Sequence, residues 1–166
     1  FMLNVVKLKE QRKTIKEKVH PKVSAMSDVV AFRLARLVAA HERDATYWFS
    51  KKFELSLIEW RVLGLANEFE PVFFKDIRSM LNIDKGQLSR AIKKLVNKNI
   101  LLTNTSTTDA RFVEIHTTVK GKKLHNEALK FSIIRNELIV ENLTKLECRE
   151  FFRMLEKLSR VKLDGI

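Results

Sequence analysis

Three helix-start signals divide this sequence. They lie at Ser56–Glu59, Asp84–Gln87 and Thr144–Glu147. In each, a side-chain oxygen at the first position can accept a hydrogen bond from the backbone N–H three residues later, and the Glu or Gln there can reach back to the cap. The chain has only 4 Gly and 2 Pro in 166 residues, too few for a turn-rich sandwich or barrel. These features predict a mostly α-helical protein.

Apolar side chains at helical spacing place the predicted helices around these starts. We predict helices at about 28–50, from 57 to shortly before Pro71, at 75–81, at 85–98, and after Thr118 and Thr144. The helical pattern of apolar residues stops after residue 99. Two β-prone segments, 100–102 and 112–115, flank a polar run there and predict a two-stranded hairpin. Asn99 can take the left-handed conformation that ends a helix.

Positive charge is concentrated in two segments. The chain carries a formal net charge of +12 and a sequence pI of about 10.0. Residues 1–26 have seven cationic side chains against two acidic ones, and residues 84–98 have five against one. A lysine-rich solvated surface and a surface for nucleic acid both fit this distribution.

The order of helix, helix, basic helix and hairpin is that of a winged helix-turn-helix. A capped helix fits the major groove of DNA, about 12 Å wide, and the hairpin, or wing, can reach the neighbouring minor groove. Long apolar helices at both ends predict a homodimer, which requires a roughly palindromic site. The predicted parts are a basic N-terminal extension (1–26), an N-terminal dimerisation helix (27–52), a winged-helix lobe (53–118) and C-terminal dimerisation helices (119–166).

Segments 55–63, 83–95 and 109–121 resemble, in order, three motifs of the multiple-antibiotic-resistance regulator (MarR) family of bacterial transcription factors. The resemblance implies a homodimer that binds double-stranded operator DNA with one recognition helix and one wing per subunit. It also implies a small-molecule effector that lowers DNA affinity from a crevice beside the DNA-binding lobe. The sequence departs from the family pattern at Asn99, where a Gly is usual, and in its uncharged wing tip, residues 103–108.

The recognition helix and the wing supply the candidate DNA contacts. In the wing, Arg111 can enter a narrow minor groove while Asp109 holds its guanidinium, or the two can form a surface pair that only stiffens the turn. Arg90 can contact phosphate or guanine, or lie on a solvated helix face. Gly86 either lets DNA approach the backbone or is merely tolerated in the first turn. The remaining candidates, on the polar side of the same helix, are Lys85, Gln87, Ser89, Lys93 and Lys94.

Other classes of function have less support in the sequence. The alternative function is docking of an acidic partner protein by the winged helix. Competition by duplex DNA would distinguish this docking from DNA binding. The four His are scattered without metal-ligand spacing and no phosphate-binding Gly loop is present, so we predict neither an enzyme nor a bound metal or cofactor.

The compartment is predicted from the cysteine content and the lack of membrane or targeting signals. One cysteine, Cys148, cannot form an internal disulfide, and with no recognisable signal peptide this predicts a cytoplasmic protein. Cys148 itself is either an inert thiol or a redox sensor. No apolar run approaches the roughly 18 residues that span a bilayer, so no membrane association is expected. At helical spacing, Tyr47, Trp48 and Trp60 are expected in the core rather than in a ligand cage.

Overall fold

The computed structural model describes residues 22–105 and 113–161. The chain forms two compact units, which divide between Ala45 and Thr46. After a short 3₁₀ turn at Met26–Asp28, the elements in chain order are α1 (Val30–Phe53), α2 (Leu57–Glu68), β1 (Val72–Phe73), α3 (Phe74–Leu81), α4 (Lys85–Asn97), β2 (Leu101–Thr105), β3 (Val113–Thr117), α5 (Val119–Val140) and α6 (Lys145–Ser159). The fold is mostly helical with a small antiparallel sheet, which confirms the predicted class.

In the first unit, Asp28 belongs to the 3₁₀ turn and not to the helix that we predict to begin there. Its carboxylate accepts hydrogen bonds at 3.0 Å from the backbone N–H groups of Ser24 and Ala25. These bonds, with one from the Ser24 hydroxyl, lower the pKa of Asp28. Because Asp28 is occupied with the preceding turn, α1 begins at Val30, and it continues to Phe53, beyond the predicted end.

The helix starts of the second unit are confirmed. Ser56 Oγ accepts from the Glu59 N–H at 3.2 Å while Glu59 Oε2 accepts from the Ser56 N–H at 3.0 Å. Thr144 and Glu147 form the same reciprocal pair at the head of α6. Asp84 Oδ1 accepts from the Gln87 N–H at 2.8 Å, so this carboxylate caps α4.

The sheet has one strand more than the predicted hairpin. Its order is β1-β3-β2, with Val72 opposite Ile115 and Leu101 opposite Thr117. The sequence analysis predicts no strand at Val72–Phe73, so β1 is an element that it misses. A two-residue strand has no detectable alternation of its own, and its partner lies far along the chain.

The core of the second unit lies among α2, α3, α4 and the sheet. Its fully buried side chains are Leu55, Val62, Leu63, Ile77, Leu88, Leu95, Leu101 and Ile115. These apolar side chains fix α4 against the rest of the unit, which determines the face that α4 presents to solvent.

Close packing joins the start of α5 to the end of α4. Asn99 has φ 55°, which confirms the predicted left-handed stop. Thr118 Oγ1 accepts from the Gly121 N–H at 2.9 Å and donates to the carbonyl of Asn99 at 2.9 Å. A Cβ at Gly121 would lie only 2.2 Å from the carbonyl oxygen of Ile100, so only glycine fits this contact.

The distal part of α5 and all of α6 leave large apolar side chains in solvent. Ile134 is 56% and Leu138 59% exposed, and α6 has no buried residue. On α6, the exposed apolar side chains are Leu146, Phe152, Met154 and Leu158. These surfaces are typical of helices that pack against another chain.

Candidate nucleic-acid interface

The amphipathic sequence of α4 gives it one apolar and one cationic side. Leu88, Ala91, Ile92 and Leu95 are buried at helical spacing. The opposite side, which we call the basic face of α4, exposes Lys85, Gln87, Ser89, Arg90, Lys93 and Lys94. The structure thus brings these predicted site residues together on one surface.

The basic face borders a groove on each flank. On one flank, Ser89 and Lys93 line a cavity of about 390 Å³ with Thr103 and Val113 of the hairpin. On the other flank, Gln87, Arg90 and Lys94 line a smaller cavity of about 210 Å³ with Ser56 and Glu59 at the start of α2. The basic face therefore lies between the hairpin and the capped start of α2.

Lys94 has a structural partner that the sequence analysis does not predict. Its ammonium lies 3.7 Å from Oε1 of Glu59, whose side chain is only 5% exposed. The other Glu59 oxygen accepts from the Ser56 N–H. Lys94 thereby links α4 to the cap of α2, and part of its charge already neutralises a buried carboxylate.

The other cations of the basic face keep their charge available. Within residues 22–105 and 113–161, the side chains of Lys85, Arg90 and Lys93 have no ion pair or hydrogen bond. Unpaired cations on one exposed helix face can neutralise phosphates without first breaking a bond within the protein.

Lysines at the edge of the lobe hold the backbone together. Lys98 donates to the carbonyl of Glu54 at 2.6 Å, and Lys120 donates to the carbonyl of Lys98 at 2.9 Å. Both carbonyls lie at helix ends, where the dipole favours a cation. Their partners are distant in sequence, so no local pattern predicts these contacts.

Glu70 anchors the sheet to α5. One of its oxygens lies 2.7 Å from Lys122 Nζ and the other accepts from the Thr117 N–H at 3.2 Å. The hydrogen bond from Lys122 is the main reason why the pKa of Glu70 lies below its usual value.

The described part of the hairpin stops short of the predicted wing residues. Thr105 pairs with Val113 as the last described pair of β2 and β3. The segment that joins them contains Asp109 and Arg111, and both lie outside the described residues.

An aromatic cluster joins α1, α2 and α5 beside a cavity. The Trp60 ring stacks on His125 with centroids 5.5 Å apart and on Phe49 at 5.2 Å. Trp60 and His125 also line a cavity of about 530 Å³ with Leu65 and Leu129. Tyr47 and Trp48 are 54% and 41% exposed, so the expectation that they lie in the core is wrong for a single chain.

Other kinds of site have no support in the described part of the chain. No cluster of three or more His, Cys, Asp and Glu side chains there could hold a metal ion. None of the helices described is both long and apolar enough to cross a membrane. Cys148 is a half-buried free thiol.

Comparison with known proteins agrees with this geometry. A family model described as MarR family matches residues 53–111, which include α2 to α4 and part of the hairpin. A MarR/EmrR family transcriptional regulator from an Acinetobacter species is 26% identical, with a TM-score of 0.71 over 76% of this chain and 89% of that one. No curated protein sequence matches the chain.

Two further solved structures share the fold. A MarR protein from Peptoclostridium difficile is 19% identical with a TM-score of 0.76, covering 87% of this chain and 94% of its own. Bordetella bronchiseptica BpsR, whose DNA binding is regulated by 6-hydroxynicotinic acid, is also 19% identical with a TM-score of 0.76, covering 85% and 100%. These likenesses fit the capped helices, the basic face on α4 and the adjoining hairpin: residues 53–111 match the MarR family model, and the chain has the winged-helix fold of these transcriptional regulators.

Proposed function

We propose that the chain is a homodimeric, sequence-specific transcriptional regulator that binds a pseudo-palindromic DNA operator. In this proposal α4 enters the major groove and the hairpin reaches the minor groove. The basic face of α4 is the observation that carries it, because Lys85, Arg90 and Lys93 are exposed and unpaired within the described residues.

Each cation has a distinct role in the proposal. Lys85 and Lys93 contact phosphates, which gives affinity for any sequence. Arg90 donates to guanine or phosphate, and Gln87 and Ser89 contact bases or phosphates near the helix N-terminus. Lys94 adds less, since it is shared with Glu59. Asp109 and Arg111 keep the role that the family resemblance gives them, with Arg111 in the minor groove.

The dimer is proposed from the exposed apolar helices. Leu138 and Phe152 in the second unit, and Leu37 and Val38 in the first, are about half exposed. Burying the exposed half of such a side chain against a second copy contributes roughly half of the 1.5–3 kcal/mol that full burial gives. A two-fold dimer then presents two basic faces to successive turns of DNA.

The first experiment selects bound duplexes from genomic fragments and measures their affinity against salt. We expect log K to fall linearly with log salt, with a slope of about 0.9 per phosphate neutralised. Arg90→Ala and Arg111→Ala are each expected to weaken operator binding by about 1–3 kcal/mol without changing dimerisation. Lys145→Ala, which removes an exposed cation at the start of α6, is the matched control.

The outcomes separate DNA binding from docking of an acidic protein. Equal binding to every duplex at physiological salt, or binding without salt dependence, would contradict the proposal. Complexes with an acidic protein that excess duplex DNA fails to displace would favour the alternative.

We also propose that a small ligand acts from the cavity beside Trp60 and His125. Its volume of about 530 Å³ lies in the usual range for small-molecule sites, and its lining is mainly apolar. An aromatic acid such as 6-hydroxynicotinic acid, which regulates the related BpsR, is a suitable first probe. Trp48→Phe leaves Trp60 as the only indole, so quenching on titration reports this cavity. Operator release without quenching would place the effector elsewhere.

A further inference from the structure

Gly86 leaves a notch in the first turn of α4. It lies between the capping residue Asp84 and Arg90, one turn further along the helix. A Cβ at position 86 would lie 3.1 Å from Asp84 Oδ1 and 3.3 Å from Arg90 Nη1. Both distances are shorter than ordinary van der Waals contacts, so a methyl group would require these charged groups to move by a few tenths of an ångström.

The guanidinium of Arg90 reaches the notch because helical side chains point toward the N-terminus. A residue therefore covers the turn before its own Cα. Arg90 lies four residues after Gly86, so its extended side chain passes directly over position 86. The missing side chain at Gly86 lets the guanidinium lie close to the helix surface.

The carboxylate of Asp84 lies across the same notch and is itself fixed in place. Its Oδ1 accepts from the Gln87 N–H at 2.8 Å, so the carboxylate cannot rotate freely. No ion pair joins Asp84 to Arg90 in the described part of the chain, so their attraction acts across the notch without consuming a donor of the guanidinium. A guanidinium held near a fixed charge with its donors free is preorganised for a bidentate contact.

We propose that Gly86 is a positioning residue for sequence recognition, acting through Arg90. By leaving room for the guanidinium beside Asp84, it directs Arg90 toward one base pair opposite the first turn of α4. This inference rests on the proposed function, since it requires a DNA operator. It differs from close approach of DNA to the Gly86 backbone and from simple tolerance of glycine.

A double-mutant cycle with Gly86→Ala and Arg90→Ala tests the proposal. We expect Gly86→Ala to lower operator affinity roughly tenfold, as loss of a bidentate contact would, while affinity for nonspecific duplex changes less than about twofold. The double variant should bind no more weakly than Arg90→Ala, because both changes remove the same contact. In the free protein, the NMR signal of the Arg90 Nε–H should shift in Gly86→Ala.

Gly64→Ala is the matched control. Gly64 is also a helical glycine, and a Cβ there would meet nothing within 4 Å. Both alanine variants should fold, since alanine favours helix over glycine. Only Gly86→Ala should lose operator affinity. Asp84→Asn, which keeps a capping oxygen but removes the charge, should also lower the ratio of operator to nonspecific binding.

Each outcome decides one question. If Gly86→Ala binds the operator with wild-type affinity, the inference is wrong and glycine is merely tolerated at this position. If the losses of operator affinity from Gly86→Ala and Arg90→Ala multiply in the double variant, the two changes act independently. The inference is then wrong, and close approach of DNA to the Gly86 backbone explains the loss. If the wild-type protein prefers no duplex, the proposed function fails, and this inference fails with it.

Discussion

The winged-helix lobe and the distal helices of this chain use apolar side chains in opposite ways. In the lobe, Leu63, Leu88 and Leu95 are fully buried by residues of the same chain. In the distal half of α5, Ile134 and Leu138 are more than half exposed, and α6 buries nothing. The lobe therefore has a core of its own, whereas the distal helices leave their apolar side chains in solvent, where the proposed dimer would bury them.

This difference means that folding stability and association of the chain should depend on different regions. The lobe presents the basic face of α4 from a rigid core, so changes in that core should alter folding first. In the proposed dimer, changes on the distal helices should alter association first, and should alter DNA binding only because two basic faces act together. Substitutions in each region can break this division of roles.

The largest effect is expected from Leu138→Lys. Each of the two copies would lose the burial of its leucine, about 1 kcal/mol, and would place a charge in the interface at a further cost of about 1 kcal/mol, so the dimer should weaken by about 4 kcal/mol, or roughly a thousandfold. Sedimentation velocity over a concentration series should show monomers with wild-type helical content. Asn136→Lys adds the same charge at an exposed polar position of α5 and is the control. If Leu138→Lys dimerises like wild type, distal α5 does not form part of the interface.

The next largest effect is expected on stability, when one leucine from each region is truncated to alanine. Leu95→Ala leaves a cavity in the lobe and should lower the free energy of unfolding by about 3 kcal/mol. That loss should not vary with protein concentration. Leu158→Ala, at a position 47% exposed, should lower stability only as far as it weakens association, so its effect should depend on concentration. Urea denaturation at two protein concentrations distinguishes them, and equal, concentration-independent losses would contradict the comparison.

A smaller effect is expected where α5 packs on the lobe. Gly121→Ala places a methyl group against the carbonyl of Ile100 and should cost about 2 kcal/mol through forced movement of the backbone. Gly64→Ala, which has open space, should instead stabilise by up to about 1 kcal/mol. Urea midpoints of the two variants should move in opposite directions. A neutral Gly121→Ala would show that this packing adapts easily.

Sequence reasoning succeeded where the determinants are local. The capping boxes at Ser56 and Thr144 and the left-handed Asn99 depend on residues within one helical turn, so the sequence alone places them. The exposed and buried sides of α4 follow from its own periodicity. The order of these elements and the expectation of DNA binding also follow from the sequence pattern, and the family resemblance adds the small-molecule effector.

Contacts between distant segments were not predictable. Strand β1 forms because Val72 meets Ile115. In the sequence Lys94 looks like a solvated helix residue and Glu59 like a capping residue alone, until the core brings α2 and α4 together. The crowding at Gly86 depends on the Arg90 rotamer, which the sequence does not reveal. From the sequence alone, Gly86 has only two interpretations, close approach of DNA to the backbone and simple tolerance of glycine. In each case tertiary packing supplies the information that local pattern lacks.

The smallest effect concerns the ion pair that joins the lobe to α5. The Lys122 ammonium holds the pKa of Glu70 below its usual value of 4.5, so the ionised carboxylate stabilises the folded state. A carboxyl with a lowered pKa contributes its full stabilisation above the unfolded value and loses it as pH falls through the folded value. Glu70→Gln should therefore be less stable than wild type near pH 7, by less than about 1 kcal/mol because the pair is partly solvated.

The pH dependence of that difference is the sharper measurement. The gap in urea midpoint between wild type and Glu70→Gln should narrow below pH 4.5 and vanish once the carboxyl is protonated in both folded and unfolded states. High salt at pH 7 should narrow it too, since exposed charges are screened. Glu127→Gln, which removes an exposed carboxylate of α5, controls for the change in net charge. A gap that persists unchanged at low pH would mean that the amide's altered hydrogen bonding to Thr117, rather than the lost charge, separates Glu70→Gln from wild type.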